Sequence, residues 1–147
     1  MKTFKKFLLL FLFLSIVFSC SSSEEDSSGC ESCTYSIGNG ETAGSVPAAL
    51  HGVFNLTLQY SQNGYKFADG KKAKFTIAEK ELTIEIEGEE CLLLKNPYTV
   101  NGNLNEFTFK DTCRDNQIYS VSIANNGGLN EINVGTLEMK FYGQFHQ

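Results

Sequence analysis

The sequence predicts an all-β domain of about eight short antiparallel strands, closed as a small barrel or stacked as a two-sheet sandwich. Three observations carry this. From Val53 onward, apolar side chains recur at every second position, the period of strands with one buried face. Turn residues such as Asn-Gly and Asp-Gly interrupt the pattern at short intervals. No segment holds a helical period beyond the single turn that Pro47-Ala48-Ala49-Leu50-His51 could make. Alternation does not separate barrel from sandwich, because both bury one face of each strand.

Each element follows from its own residues. Phe54, Leu56, Leu58 and Tyr60 alternate with Asn55, Thr57 and Gln59 in the first strand. Ser61-Gln62-Asn63-Gly64 turns the chain into a short second strand at 65–68, ended by Asp69-Gly70. Segments 73–78 and 82–87 form a hairpin around Glu79-Lys80, with Phe75 facing Ile84 and Ile77 facing Leu82. Thr83, Glu85 and Glu87 then point to water. Segments 91–95 and 98–100 make a strand interrupted by Pro97, which removes a ladder donor and implies an edge or a bulge. Asn101-Gly102-Asn103 turns it back into 106–111, with Phe107 and Phe109 inward. Thr112 to Asn116 is a loop. Asn126-Gly127 is a type I′ hairpin signal that sets Val121 opposite Ile132 and Tyr119 opposite Val134. The last strand, 136–142, places Leu137, Met139 and Phe141 inward; alternatively, Phe141, Tyr142 and Phe145 seal the core at the C-terminus.

Ahead of this domain the chain is of another kind. Lys2, Lys5 and Lys6 precede an apolar run from Phe7 to Phe18, shorter than the ~20 residues a membrane span needs. Val17-Phe18-Ser19-Cys20 follows. The layout resembles the lipobox of bacterial lipoproteins, which implies cleavage after Ser19 and a lipid on Cys20. An ordinary secretory signal cut near Ser19 is the alternative. Residues 1–19 are thus read as the signal peptide, 20–33 as an acidic, Ser-rich tether and 34–147 as one β domain. Glu24-Glu25-Asp26 looks like the acidic export signal of some Gram-negative lipoproteins; a plain solvated linker is the alternative. The expected location is the outer membrane, lipid-anchored, on its periplasmic or cell-surface face.

A second resemblance is local. A helical turn followed by Gly52-Val53-Phe54 looks like the start of lipocalin-type barrels, which carry Gly-x-Trp at the first strand. Phe54 stands in place of the tryptophan. The resemblance covers about ten residues and implies a small ligand-holding barrel.

Loss of the three lysines of 1–19 takes the formal charge from −5 to −8. An acidic surface repels phosphate backbones, so nucleic acid is not an expected partner. The cation group Lys71, Lys72 and Lys74 reads as a turn and an outward strand face. Beyond Cys20, four cysteines remain, and an even count in an exported domain suggests disulfides. Cys91 and Cys113 lie equidistant from Gly102, so a hairpin turning there would bring them face to face; they are expected to pair. Cys30 and Cys33 are left as a local disulfide, as reactive C-x-x-C thiols, or as part of a thiolate metal set, which an oxidising compartment disfavours.

Little else suggests chemistry. His51 and His146 have no ligand or triad partner nearby in sequence and read as surface or strand-end residues. Asp111, Asp115 and Asn116 share a loop that could bind calcium, but they lack the EF-hand pattern and are ordinary turn residues. Gly127-Gly128 opens no helix and is a hairpin tip, not a phosphate loop. Tyr60, Tyr65 and Phe67 around Asn63-Gly64 are the candidate ligand-stacking residues, with core packing the alternative for at least one of them. The expectation is a protein without catalytic residues, metal or cofactor. It would bind a small apolar ligand inside a barrel, or act as an envelope accessory protein that meets a protein or glycan through loops or a sheet edge.

Overall fold

The computed structural model describes residues 29–147 except 63, 101 and 139. The signal peptide, Cys20 and the acidic cluster lie outside the described residues. In chain order the strands are β1 (Glu31–Thr34), β2 (Glu41–Ala43), β3 (Gly52–Ser61), β4 (Lys72–Ile77), β5 (Glu81–Ile86), β6 (Leu92–Lys95), β7 (Tyr98–Val100), β8 (Glu106–Asp111), β9 (Gln117–Ile123), β10 (Leu129–Thr136) and β11 (Phe141–His146). One 3-10 turn, Ala48–Leu50, precedes β3, where Pro47 opens the expected helical turn.

The strands form one sheet in the order β1-β6-β5-β4-β3-β11-β10-β9-β8-β7-β2. The consecutive segments β6 and β7 sit near its two ends, parted by Asn96, with φ of 64°, and Pro97. A left-handed residue followed by proline cannot continue a ladder, so the chain turns a corner there. Counting β6 and β7 as one bent strand, the up-and-down meander has eight strands whose last, β11, pairs with its first, β3. The single curled, barrel-like sheet therefore favours the barrel over two stacked sheets.

Registers follow the alternation wherever it is strict. Phe75 lies opposite Ile84 and Ile77 opposite Leu82. Val121 lies opposite Ile132 and Tyr119 opposite Val134. Inside, Phe75, Phe109, Tyr119, Phe145, Leu58 and Leu94 are all at 0–1% exposure. The Phe75 and Phe145 rings meet edge to face at 5.1 Å. Burying a side chain of this size contributes about 1.5–3 kcal/mol, and the core cluster inside the ring is built largely of such groups.

The end that holds the β4–β5 turn is closed by the chain entering β3. Val46 and Leu50 are buried there, and the Val46 amide donates to the Glu79 carbonyl at 2.9 Å. The Gly44 amide donates to the Pro97 carbonyl at 2.7 Å, and Lys80 Nζ to the Gly44 carbonyl at 2.5 Å.

Several expectations are corrected. β1 begins inside the stretch read as tether, and Cys33 within it is fully buried. Segment 65–68 is a loop, not a strand. The Asn126-Gly127 tip is not type I′. Only Gly127 has positive φ there, and its amide returns to the Ala124 carbonyl at 2.8 Å, the pattern of a type I turn closed by a left-handed glycine. The final strand is Phe141–His146 rather than 136–142; Leu137 is exposed in the preceding turn, and Phe145 is the inward residue. β8 meets β7 through Tyr98 and Thr108, while Leu94 of β6 pairs with Leu82 of β5.

Candidate functional site

The four cysteines are joined differently from the expectation. Cys30 is bonded to Cys91, with Cα atoms 4.5 Å apart, and Cys33 to Cys113, at 5.9 Å. The Cys91–Cys113 pairing fails because the corner at Asn96-Pro97 sends Cys91 away with β6, so the two cysteines never face each other across a hairpin. A local Cys30–Cys33 bridge fails for a second reason. Three residues of extended strand separate Cα atoms by about 10 Å, beyond the ~7 Å reach of a disulfide, and put the side chains on opposite faces. Cys30 therefore meets its neighbour beside the parallel β1–β6 pair, while Cys33 points into the barrel. Neither member of the C-x-x-C is a free thiol.

The end of the barrel that carries these bridges also carries the 62–71 loop. Tyr65 and Phe67, two of the three ligand-stacking candidates, are folded into it at 9% and 8% exposure. Their rings meet edge to face at 5.4 Å, and Tyr65 stacks on Tyr142 at 5.6 Å. Lys66 clamps the loop by ion pairs to Asp115 at 2.7 Å and Glu89 at 3.0 Å. Burial works against the lysine's charge, but hydrogen bonds to Asp115 and Glu89 outweigh it and hold its pKa above the ordinary value. The Tyr65 hydroxyl is buried without a hydrogen-bond partner, and burial together with Asp115 and Glu89 pushes its pKa well up. These two rings plug the mouth rather than offer themselves to a ligand.

The loop read as a possible calcium site is organised from within. The Asp111 carboxylate is fully buried and accepts the backbone N–H groups of Cys113, Arg114 and Asp115 at 2.9–3.0 Å. With Asp115 on Lys66, both acidic side chains are engaged. Among the described residues, no group of three or more His, Cys, Asp or Glu side chains is placed to hold a metal. His51 binds the Val46 carbonyl through Nε2 at 2.9 Å, and His146 is exposed at the end of β11.

A third cluster seals the seam near β2. Lys110 Nζ donates to Glu41 Oε1 at 2.5 Å and to the Tyr35 hydroxyl at 2.9 Å, and that hydroxyl donates to Glu41 Oε2 at 2.7 Å. The ammonium also lies 4.4 Å and 4.6 Å from the ring centres of Tyr35 and Tyr98. Burial opposes both charges, yet the Lys110–Glu41 bond and its neighbours lower the glutamate's pKa and raise the lysine's. Sequence reasoning missed this set, since its members are brought together only by the closing of the seam.

One concave surface lies on the outside of the barrel. An open groove of about 920 Å³ runs over β3, β4 and β5 toward the 87–91 turn. Cross-strand pairing lays its polar side chains in rows: Asn55 beside Lys74 beside Glu85, then Thr57 beside Lys72. Lys74 and Glu85 neutralise each other at 2.6 Å, both about 43% exposed, so the pair adds little stability. Glu87 and Glu89 complete the rim.

Beside the groove stands an aromatic pair. Tyr60, the third ligand-stacking candidate, is 50% exposed and stacks on Phe141 at 5.9 Å with ring planes 17° apart. Strict alternation would turn both rings inward. Two bulges turn them out. Between β3 and β11 the register passes from Tyr60–Gln144 to Leu58–Phe145, leaving Gln59 unopposed. Between β10 and β11 it passes from Val134–Gly143 to Gly135–Phe141, leaving Tyr142 unopposed. Each extra residue reverses the faces beyond it. The signal in the sequence was glycine inside a strand: a Cβ on Gly143 would lie 3.0 Å from the Tyr60 carbonyl, and one on Gly135 would lie 2.6 Å from the Lys140 carbonyl.

No family model matches this chain, and no curated protein or solved structure matches it.

Proposed function

We propose that the chain is a lipid-tethered envelope binding module, without catalytic activity, that works through the outside of its barrel. The observation that carries this reading is the contrast between a centre filled by Phe75, Phe109, Tyr119 and Phe145 and an open groove on the β3–β5 face. A small apolar ligand in the barrel would need the space those side chains occupy. The groove offers amide, hydroxyl, ammonium and carboxylate groups on a rigid sheet, which suits a polar partner, a protein or a glycan. A lipid on Cys20 would hold this surface at the outer membrane, periplasmic or cell-surface side, and the acidic mature chain does not suit nucleic acid.

The reading is tested on full-length protein extracted from its own membrane. Its denatured mass should exceed that of residues 20–147 by the acyl groups on Cys20, and Cys20→Ser should release the protein from the membrane fraction. Native mass spectrometry should then find a bound species that Thr57→Trp, which obstructs the groove, removes. The interior substitution Leu58→Met should leave it in place. A bound species that survives Thr57→Trp and is lost with Leu58→Met would move the site into the barrel.

A further inference from the structure

We infer that the Tyr60–Phe141 pair is the stacking platform of a saccharide site, and that the ligand of the outer face is a neutral oligosaccharide. The inference rests on the outer-face reading and names its ligand class.

The pair is a built feature. Two neighbouring strands each step out of register once, and each step turns an aromatic ring from the core to the surface. Phe141 is partly buried, but Tyr60 stays 50% exposed, so the two bulges converge on an aromatic ring with apolar surface left over for contact with something else. Phe141 backs Tyr60 from one side, and the half-exposed face of Tyr60 remains open. A ring face carries negative charge density and attracts polarised C–H groups. The flat face of a pyranose presents such C–H groups, and its rim presents hydroxyls.

The neighbouring groove supplies partners for those hydroxyls. Asn55 and Thr57 project from the same strand as Tyr60, and three residues of strand separate Thr57 from Tyr60, about 10 Å, a span that a short oligosaccharide bridges. Charge also selects. Lys72 and Lys74 stand among Glu85, Glu87 and Glu89, with Lys74 already paired to Glu85, so the groove carries no strong field of either sign and suits an uncharged ligand. Size argues against a protein. A stable protein interface buries about 800 Å² on each partner around an apolar centre. Among the described residues, the other exposed large apolar side chains, Val53, Val100, Leu104 and Leu137, lie on four different segments.

The test uses the full chain in detergent on an array of neutral α- and β-linked glucans, mannans, xylans and chito-oligosaccharides, followed by calorimetry with the bound sugar. Binding is expected to fall at least tenfold in Tyr60→Ala and in Phe141→Ala, and to persist in Tyr60→Phe, which keeps the ring. Far-ultraviolet circular dichroism should show both alanine variants folded. Absence of any neutral saccharide from the array, or binding that survives Tyr60→Ala, overturns the inference. A protein partner captured by the wild type and lost with Thr57→Trp would overturn it too, while leaving the outer-face reading standing.

Discussion

Inside the barrel, Leu56 and Leu58 of β3 and Phe145 of β11 keep strict alternation and sit at 0–2% exposure. Outside, Tyr60 and Phe141 of the same two strands lie against each other because each strand breaks alternation once. The inner face is governed by exclusion of water, which fixes register for every residue at once. The outer face carries no such constraint; the step in β11 also sets Tyr142 on Tyr65 of the plug, whereas the half-exposed ring of Tyr60 gains little burial from the step in β3. The difference teaches where to look for function: in the positions that leave the pattern that folding requires.

The sharpest way to separate the two faces is to damage one and read the other. Phe75→Ala removes a fully buried ring from the centre and should lower unfolding free energy by about 3–5 kcal/mol in a denaturant titration. Ligand binding per folded molecule should not change. Cys33→Ser with Cys113→Ser opens a bridge between residues 80 apart and should lose about 2–4 kcal/mol, read as a lower midpoint that reductant no longer shifts as far.

The seam gives a smaller effect with a pH signature. Lys110→Met removes the ammonium from Glu41 and the Tyr35 hydroxyl and should lose about 1.5–3 kcal/mol near neutral pH. Glu41 has a lowered pKa in the fold, so its contribution is complete above the ordinary carboxylate range and is lost as pH falls through the folded value. Lys110 has a raised pKa, so its contribution is complete below the ordinary lysine range and is lost as pH rises through the folded value. The difference between wild type and Lys110→Met should therefore shrink below about pH 4 and again above about pH 10.5, as parallel denaturation curves would show.

The smallest stability effect belongs to the outer face. Tyr60→Ala should change stability by less than about 1 kcal/mol while carrying the largest loss of binding. A large stability loss without a binding loss would return Tyr60 to the structural side of the comparison.

Legibility followed the same divide. The β4–β5 and β9–β10 registers were readable to the residue, because one-residue slips would put Phe75, Ile77, Tyr119 or Val121 in water. The all-β class, the helical turn before β3 and the break at Pro97 were readable for equally local reasons. Cysteine pairing was not. It depends on which way the chain leaves the corner at Asn96, and an equal spacing about Gly102 carries no information on that. The plug was not legible either: Tyr65 and Phe67 alternate like a strand, but the loop folds over the mouth and Lys66 finds partners 23 and 49 residues away. Of the three ligand candidates, only Tyr60 reaches the surface, through a bulge that period-two reading cannot place.

The central claim is that ligands meet this barrel from outside. Methyl-resolved NMR of the full chain titrated with hexadecanoic acid tests it most directly. The account predicts that the methyl resonances of Leu58, Leu82 and Leu94, all at 0% exposure, stay where they are throughout. Saturable shifts of those three resonances, with the fold intact, would place a ligand inside the barrel and contradict it.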